Sequence, residues 1–366
     1  MARQPACRGL CPPPQSVARY NVMGTEIVTE RPSPAAEPAG LEDIAGPLLD
    51  SPALERLRAV SFLGALAPRH RGIAGRSDGS RFDHSVGVAA LAVRAAERLG
   101  LSRRATRYAA AWGLLHDVAT WALSHTSEPA FRRITRTSPD ELRARIVTGH
   151  FTIPAKLSAV PALEAMGVDP LTLLGLFDKA TGPHDPELYS LWSLIRSPLT
   201  PDTLEGIWRA AQAYEVEAPD PREIIELLVP GLFEPAIAAS DLRGVERFWT
   251  AKARVYRENI NSPEAIRWES DWAAAILAAF AETELGESLE LHDDDVLSRV
   301  PATLCERCAH DTRQTSFPWS DAFMRYKPPL EYVLAKRPDA TNGILPVLEL
   351  RCYLRSTRTK VHGDHD

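Results

Sequence analysis

The sequence predicts an all-α fold. Apolar residues recur at helical spacing, as at Ile44, Leu48, Leu54, Leu57, Val60 and Leu63. Helix-starting pairs stand ahead of several such runs: Ser51-Pro52, Thr200-Pro201 and Ser262-Pro263. No strand-rich block and no internal repeat interrupts the pattern.

Residues 1–40 hold many prolines and few large apolar groups, which predicts a mobile leader. Within it, Val22, Ile27 and Val28 favour a short strand or turn over Tyr20–Val28. The helical texture begins at Leu41, and a helix is expected over Leu54–Ser61. Arg69–Gly79 is basic and glycine-rich and reads as a loop. It delivers Arg81, Phe82, Asp83 and His84 into a long helix whose buried side is Val86, Val88, Leu91 and Ala95. Gly100 ends that helix, and Ser102 caps the next, Ala105–Leu115, which runs out into His116 and Asp117. Further helices are expected over Pro139–Thr148, Tyr189–Ile195, Pro201–Tyr214, from near Pro221, over Ser240–Ile260 and over Glu264–Ala281.

Composition narrows the function. With 366 residues, 45% hydrophobic and 25% charged, the chain can bury one large domain or a core with a helical appendage. A net charge of −6 offers no basic surface for nucleic acid or an acidic membrane. Five scattered cysteines fit a reducing compartment better than a disulfide framework. No apolar run is long enough to span a bilayer, and Met1–Gln15 has no apolar signal core, so a cytoplasmic location is expected.

The chemistry-bearing residues are Arg81-Phe82-Asp83-His84-Ser85, then His116-Asp117, then Ser124-His125-Thr126-Ser127-Glu128. Imidazoles and carboxylates from several helices can converge on a divalent metal in a bundle core. Adjacent residues project about 100° apart on a helix, so His116 and Asp117 reach one site only at the helix end. Such a site needs a further histidine and a closing carboxylate from elsewhere.

The segments "RFDHSVGVAALA", "AAAWGLLHDVATWALSHTSE" and "SPLTPDTLEGIWRAA" resemble successive signatures of the HD-domain superfamily. "DSPALERLRAVSFLG" upstream and "LRSTRTKV" near the end add to the resemblance, which is greatest for the deoxynucleotide triphosphohydrolase branch. It covers Leu41–Tyr214 well and the rest thinly. The resemblance implies an HD-domain helical bundle with a C-terminal helical extension. Residues 1–40 are then a flexible leader, 41–215 a metal-binding core and 216–366 a C-terminal helical region. It implies His84, His116, Asp117 and Asp202 as ligands of a divalent metal: manganese, iron, cobalt, nickel, magnesium or zinc. Arg81 matches a phosphate-contacting arginine, and His125 a histidine near the phosphate being cleaved. Glu128 falls where an acidic partner orients that histidine. Asp117 counts among the catalytic residues as well as the ligands. The implied assembly is a homo-oligomer.

The departures from that branch concern the substrate. Thr120, taken as a substrate contact, stands where the branch has another active-site histidine, within Ala119-Thr120-Trp121-Ala122-Leu123. For a downstream His-Glu pair the nearest candidates are Asp140-Glu141 and Gly149-His150. Gly206 replaces an aromatic base-stacking residue and Ala210 an acidic one; after Tyr256, Ile260-Asn261-Ser262 stands in place of a Tyr-x-His segment. The expected activity is therefore metal-dependent hydrolysis of a phosphoester or phosphoanhydride in a nucleotide or similar small metabolite. A monophosphate or non-standard nucleotide fits better than a deoxynucleoside triphosphate. Two other classes use the same residues: a catalytically diverged nucleotide-binding regulator, and an HD-type di-iron oxygenase drawing on His125 and His150.

Three smaller features complete the reading. Cys305-Glu306-Arg307-Cys308, with His310 and Cys352, outlines a zinc site but lacks a second close pair. Asp293-Asp294-Asp295 reads as a turn capping the helix from Val296 rather than a calcium cluster. Trp121, Trp192 and Trp208 are pocket-lining candidates, with core packing expected for at least two.

Overall fold

A computed structural model of the chain describes residues 40–178, 180–232, 234–308, 330–334, 344–347 and 352–356. The expected leader, with its strand or turn at Tyr20–Val28, lies outside them. So does His310, and nothing is described of the Cys305, Cys308 or Cys352 side chains.

The fold is all-α. Its longer helices are α1 (Leu41–Leu49), α2 (Arg81–Arg98), α3 (Arg103–Leu115), α4 (Ser124–Thr135), α5 (Pro139–Thr148), α6 (Pro186–Arg196), α7 (Pro201–Ala213), α8 (Leu242–Val255), α9 (Pro263–Ala279) and α10 (Asp293–Cys308). A capping box starts α2: the Ser80 hydroxyl accepts from the Asp83 N–H, and the Asp83 carboxylate accepts from the Ser80 N–H at 2.9 Å. Ser102 caps α3 through the Ala105 N–H, and Ser262 caps α9 through the Ala265 N–H.

Two close approaches set the distance between the site-bearing helices. A Cβ built on Gly113 of α3 would lie 2.4 Å from Ala89 Cα of α2, so only glycine lets these backbones touch. A Cβ on Gly87 would lie 2.7 Å from a carboxylate oxygen of Glu205, so glycine opens the route by which α7 reaches α2. A glycine inside a helix costs about 1 kcal/mol relative to alanine, and these contacts are the reason to carry it. The main core lies around α2 and α3, with Leu54, Leu57, Phe131 and Trp272 among its members. A second cluster joins α2 and α7 to α8 through Leu91, Leu204, Phe248 and Trp249.

Several boundaries differ from the sequence expectations. In place of a helix over Leu54–Ser61 there is a turn of α-helix at Pro52–Glu55 and a 3₁₀ turn at Arg56–Ala59. The chain then extends, because the Ser61 N–H donates to Asp293 and Ser61 bridges to Ser80. Pro68–Arg71 forms a short helical turn inside the segment read as a loop. The helix expected over Ser240–Ile260 is a 3₁₀ turn, α8, and a π-helical turn at Tyr256–Ile260. The C-terminal region, expected to be helical, also holds two small antiparallel sheets. Ala236–Ala238 (β1) pairs with Ile344–Pro346 (β3), and Leu330–Leu334 (β2) with Cys352–Ser356 (β4). Strands of three to five residues are too short for alternation to announce them.

Among the described residues, no single helix is long and apolar enough to cross a membrane.

Candidate metal centre

Three helices converge on a single point. His84 lies one turn into α2, His116 and Asp117 follow the last turn of α3, and Asp202 stands in the first turn of α7. His84 and His116 face each other with their Nε2 atoms 3.1 Å apart. Asp117 Oδ2 lies 3.5 Å from His116 Nε2 and 3.7 Å from His84 Nε2. Asp202 Oδ1 lies 3.2 Å from His84 Nε2 and 3.6 Å from His116 Nε2. Both imidazoles are buried, while the Asp202 side chain is 47% exposed and forms the open side of the cluster.

The other face of each ring is already engaged. The His116 Nδ1–H donates to the Gly113 carbonyl at 2.7 Å, and the His84 Nδ1–H donates to the buried Glu205 carboxylate. In the neutral ring each pairing leaves the lone pair on Nε2, which points into the cluster. Glu205 is held in turn by Arg209, one turn further along α7. The sequence reading did not single out Glu205; its signal would have been an acidic residue three positions after Asp202 on the same helix face.

The donor set fits a divalent metal. His84, His116 and Asp117 offer one donor atom each, all within 4.8 Å of one another. The spacings of 3.1–3.7 Å compare with the roughly 3.0–3.4 Å edges left between donors bound at about 2.1 Å. Mixed imidazole and carboxylate donors suit several first-row divalent ions and magnesium. Electrostatics agree with the geometry. Burial works against charge on His116, but the Asp117 and Asp202 carboxylates outweigh it and raise the imidazole to about 10. Burial likewise opposes ionisation of Asp117 and Asp202, and the neighbouring histidines hold both well below the usual carboxylate range. Both carboxylates are therefore ionised at neutral pH and available to a cation that displaces the His116 proton.

Arg81 is buried beside the cluster. Its Nη1 lies 2.5 Å from Asp117 Oδ2, the same oxygen that faces both imidazoles, and its Nε donates to the Ser124 hydroxyl at 2.8 Å. Phe62 packs at 4.7 Å on the His84 ring and at 4.8 Å from the Arg81 guanidinium carbon. A Cβ on Gly206 would meet this Phe62 ring at 3.4 Å. The corner that an aromatic at 206 would enter is thus filled by Phe62, from a different segment, which the sequence reading missed.

Two cavities flank the cluster. One, of about 290 Å³, is polar and lined by Asp117, Thr120, His125, Glu128, Arg132 and Arg143, among others. The other, of about 180 Å³, is bounded by Phe62, Leu63, Asp202, Ile207, Lys252 and Tyr256, among others. His125 lines both, and its Nδ1 stands 3.1 Å from Glu128 Oε2. Thr120 contributes its side to the polar cavity while its carbonyl accepts from Arg56 at 2.9 Å. Arg56 is half-buried, and desolvation pulls its guanidinium down to about 10. Arg143, also unanticipated, donates its Nε to the His116 carbonyl at 2.8 Å and pairs with Asp140. His150 hydrogen-bonds Thr152 and borders neither cavity, and Glu141 pairs with Arg145. Trp121 borders the polar cavity while stacking on Phe131 in the core; Trp192 and Trp208 line neither cavity.

Two histidines and two aspartates from three helices thus meet at one point. Residues 81–165 match the family model of the HD domain. Among solved structures, the chain is similar to a phosphohydrolase from Bacteroides thetaiotaomicron, at 17% identity and a TM-score of 0.55, over 80% of this chain and 75% of that one. It is also similar to a hypothetical protein from Aquifex aeolicus, at 19% identity and a TM-score of 0.56, over 80% and 73%. At these identities the likeness is one of fold. No curated protein matches the sequence.

Proposed function

We propose that this protein is a metal-dependent phosphohydrolase acting on a nucleotide or a similar small phosphorylated metabolite. The observation that carries the reading is the convergence of His84, His116, Asp117 and Asp202 beside the buried cation Arg81. The four donors would hold the metal, and a divalent ion there supplies Lewis acidity and a nucleophile at neutral pH. Arg81, already against Asp117, offers a guanidinium to phosphate oxygens as charge develops on them. His125, backed by Glu128, lies between the two cavities and would give its proton to the leaving oxygen. Arg143 and Arg132 border the polar cavity and add cationic character where phosphate groups would lie. Phe62, Leu63 and Ile207 in the smaller cavity suit an organic moiety of the substrate.

The test is elemental analysis of the purified protein, followed by assays of phosphate and polyphosphate release across nucleotides with added manganese, iron or cobalt. Release that disappears in Asp117→Ala supports the reading. No release from any phosphoester with metal bound sinks it. Tight nucleotide binding without turnover would then favour a regulator, and two irons per chain an oxygenase.

A further inference from the structure

The left-handed pair Leu123-Ser124 carries an inference about the C-terminal part of the chain. Both residues have positive φ, 56° and 53°, without being glycine. Side chains disfavour this conformation, so surrounding contacts must impose it. One contact is steric: Gly64, itself left-handed, leaves room for the Leu123 carbonyl, which a Cβ would meet at 2.1 Å. The other is Asp293, the first residue of α10 and 170 positions away in sequence. Its carboxylate is buried, and its two oxygens are divided between two segments. Oδ1 accepts the Leu123 N–H at 2.6 Å, and Oδ2 accepts the Ser61 N–H at 2.9 Å.

Those two segments are the ones that deliver the site. Ser61 bridges to Ser80, immediately before Arg81, and the Arg81 N–H donates to the Val60 carbonyl at 2.7 Å. Ser124 opens the helix that presents His125. The segments are also joined to each other, since the Ser124 hydroxyl donates to the Ser61 carbonyl and accepts from Arg81 Nε. A continuous chain of hydrogen bonds therefore runs from Asp293 through the Leu123-Ser124 turn to Arg81, and from Arg81 to Asp117.

We propose that Asp293 is a positioning residue: from α10 it holds the Leu123-Ser124 turn so that Ser124 aims the Arg81 guanidinium at the site. The effect on turnover rests on the hydrolase reading above; the effect on Arg81 does not. Asp293→Asn keeps the size but sets an amide N–H₂ against one of the two backbone N–H groups. Ser124→Ala removes the relay at its next link and leaves both acceptors of Asp293 in place.

The test follows the Arg81 Nε–H resonance by nuclear magnetic resonance of the full chain, assigned by its loss in Arg81→Lys. In parallel, hydrolysis of para-nitrophenyl phosphate with manganese is measured. In both Asp293→Asn and Ser124→Ala the resonance should shift and exchange faster with solvent. In each, kcat/KM should fall about ten-fold, and the double variant should fall no further, because one relay is lost only once. An unchanged Arg81 resonance in folded Asp293→Asn overturns the proposal, as does a roughly hundred-fold, additive loss in the double variant. If Asp293→Asn does not fold, Asp293→Ser, a shorter side chain that still offers an acceptor, takes its place under the same two criteria. Wild-type protein that leaves the phosphoester intact defeats the hydrolase reading alone, and the resonance then decides the relay.

Discussion

Glu205 accepts the Nδ1–H of His84 from inside the bundle, so the ring can present only Nε2 to the cluster. This contact depends on Gly87, whose missing side chain makes the space in which the Glu205 carboxylate lies. Outer partners of this kind typically change metal affinity about 10- to 100-fold when removed. Glu205→Ala should therefore weaken manganese binding by roughly that factor, measured by calorimetry on metal-stripped protein. Glu205→Gln retains an acceptor and should lose less. Equal affinity in wild type and Glu205→Ala would show that the ring is oriented by other contacts.

Metal binding should release protons. The Asp117 and Asp202 carboxylates overcome burial to raise His116 from its ordinary 6.5 to about 10. A ligand imidazole must be neutral, so affinity should rise with pH below about 10, by up to ten-fold per unit for one proton. The same shift gives a sign for stability without metal. The raised histidine contributes fully below about 6.5, and that contribution is lost as pH climbs from there toward 10. The depressed carboxylates act oppositely: their contribution is present above their ordinary value of 3.8 and fades as pH falls below it. Urea midpoints of metal-stripped protein from about pH 6 to 10 should decline, and calorimetry in two buffers should count about one proton released.

Arg143 bridges the His116 carbonyl and the polar cavity. Its guanidinium also lies 4.8 Å from the Phe177 ring centroid, which holds it in place. Arg143→Ala should lower kcat/KM about ten-fold or more, since hydrogen bonds to charged groups contribute roughly 1.5–3 kcal/mol. Most of the change should appear in KM if the residue grips substrate phosphate. A change confined to thermal stability would assign it to packing alone.

The contact of α2 with α3 can be tested by overfilling it. Gly113→Ala would set a methyl 2.4 Å from Ala89 Cα, where backbone rather than a flexible side chain must yield. A cost of about 1–3 kcal/mol is expected, a fall in Tm of roughly 1–5 °C for a chain of this size. Because His84 and His116 ride on those two helices, manganese affinity should fall with it. A variant as stable and as tight-binding as wild type would mean that the helices part at no cost.

Residues with a local signature were legible in the sequence. His84, His116, Asp117 and Asp202 each sit at a recognisable place on a helix, and the structure brings all four together. His125 and Glu128 are three residues apart on one helix and pair as that spacing suggests. The supporting residues were not legible. Glu205, Arg143, Phe62 and Asp293 act by contacts across 121, 27, 22 and 232 positions to His84, His116, His84 and Ser61. Nothing in a glutamate or an arginine by itself indicates which distant group it will meet. Asp293 shows the limit well. Its acidic run, read as a turn capping a helix from Val296, is itself the first turn of that helix, with Asp295 accepting the His292 N–H at 2.8 Å. That Asp293 turns inward to hold Ser61 and Leu123 follows only from where α10 packs.

The sequence by itself determined the all-α class and the helices that carry the ligands. Periodic burial, capping residues and the paired His116-Asp117 are local, and local patterns need no knowledge of the fold. Tertiary structure alone decided the distances on which chemistry depends. Glycines at 87 and 113 let three helices approach until the two imidazoles stand 3.1 Å apart and each aspartate lies 3.2–3.7 Å from both of them. Buried acceptors then choose which ring nitrogen faces inward, because in an interior without water every such proton must find a partner within the protein.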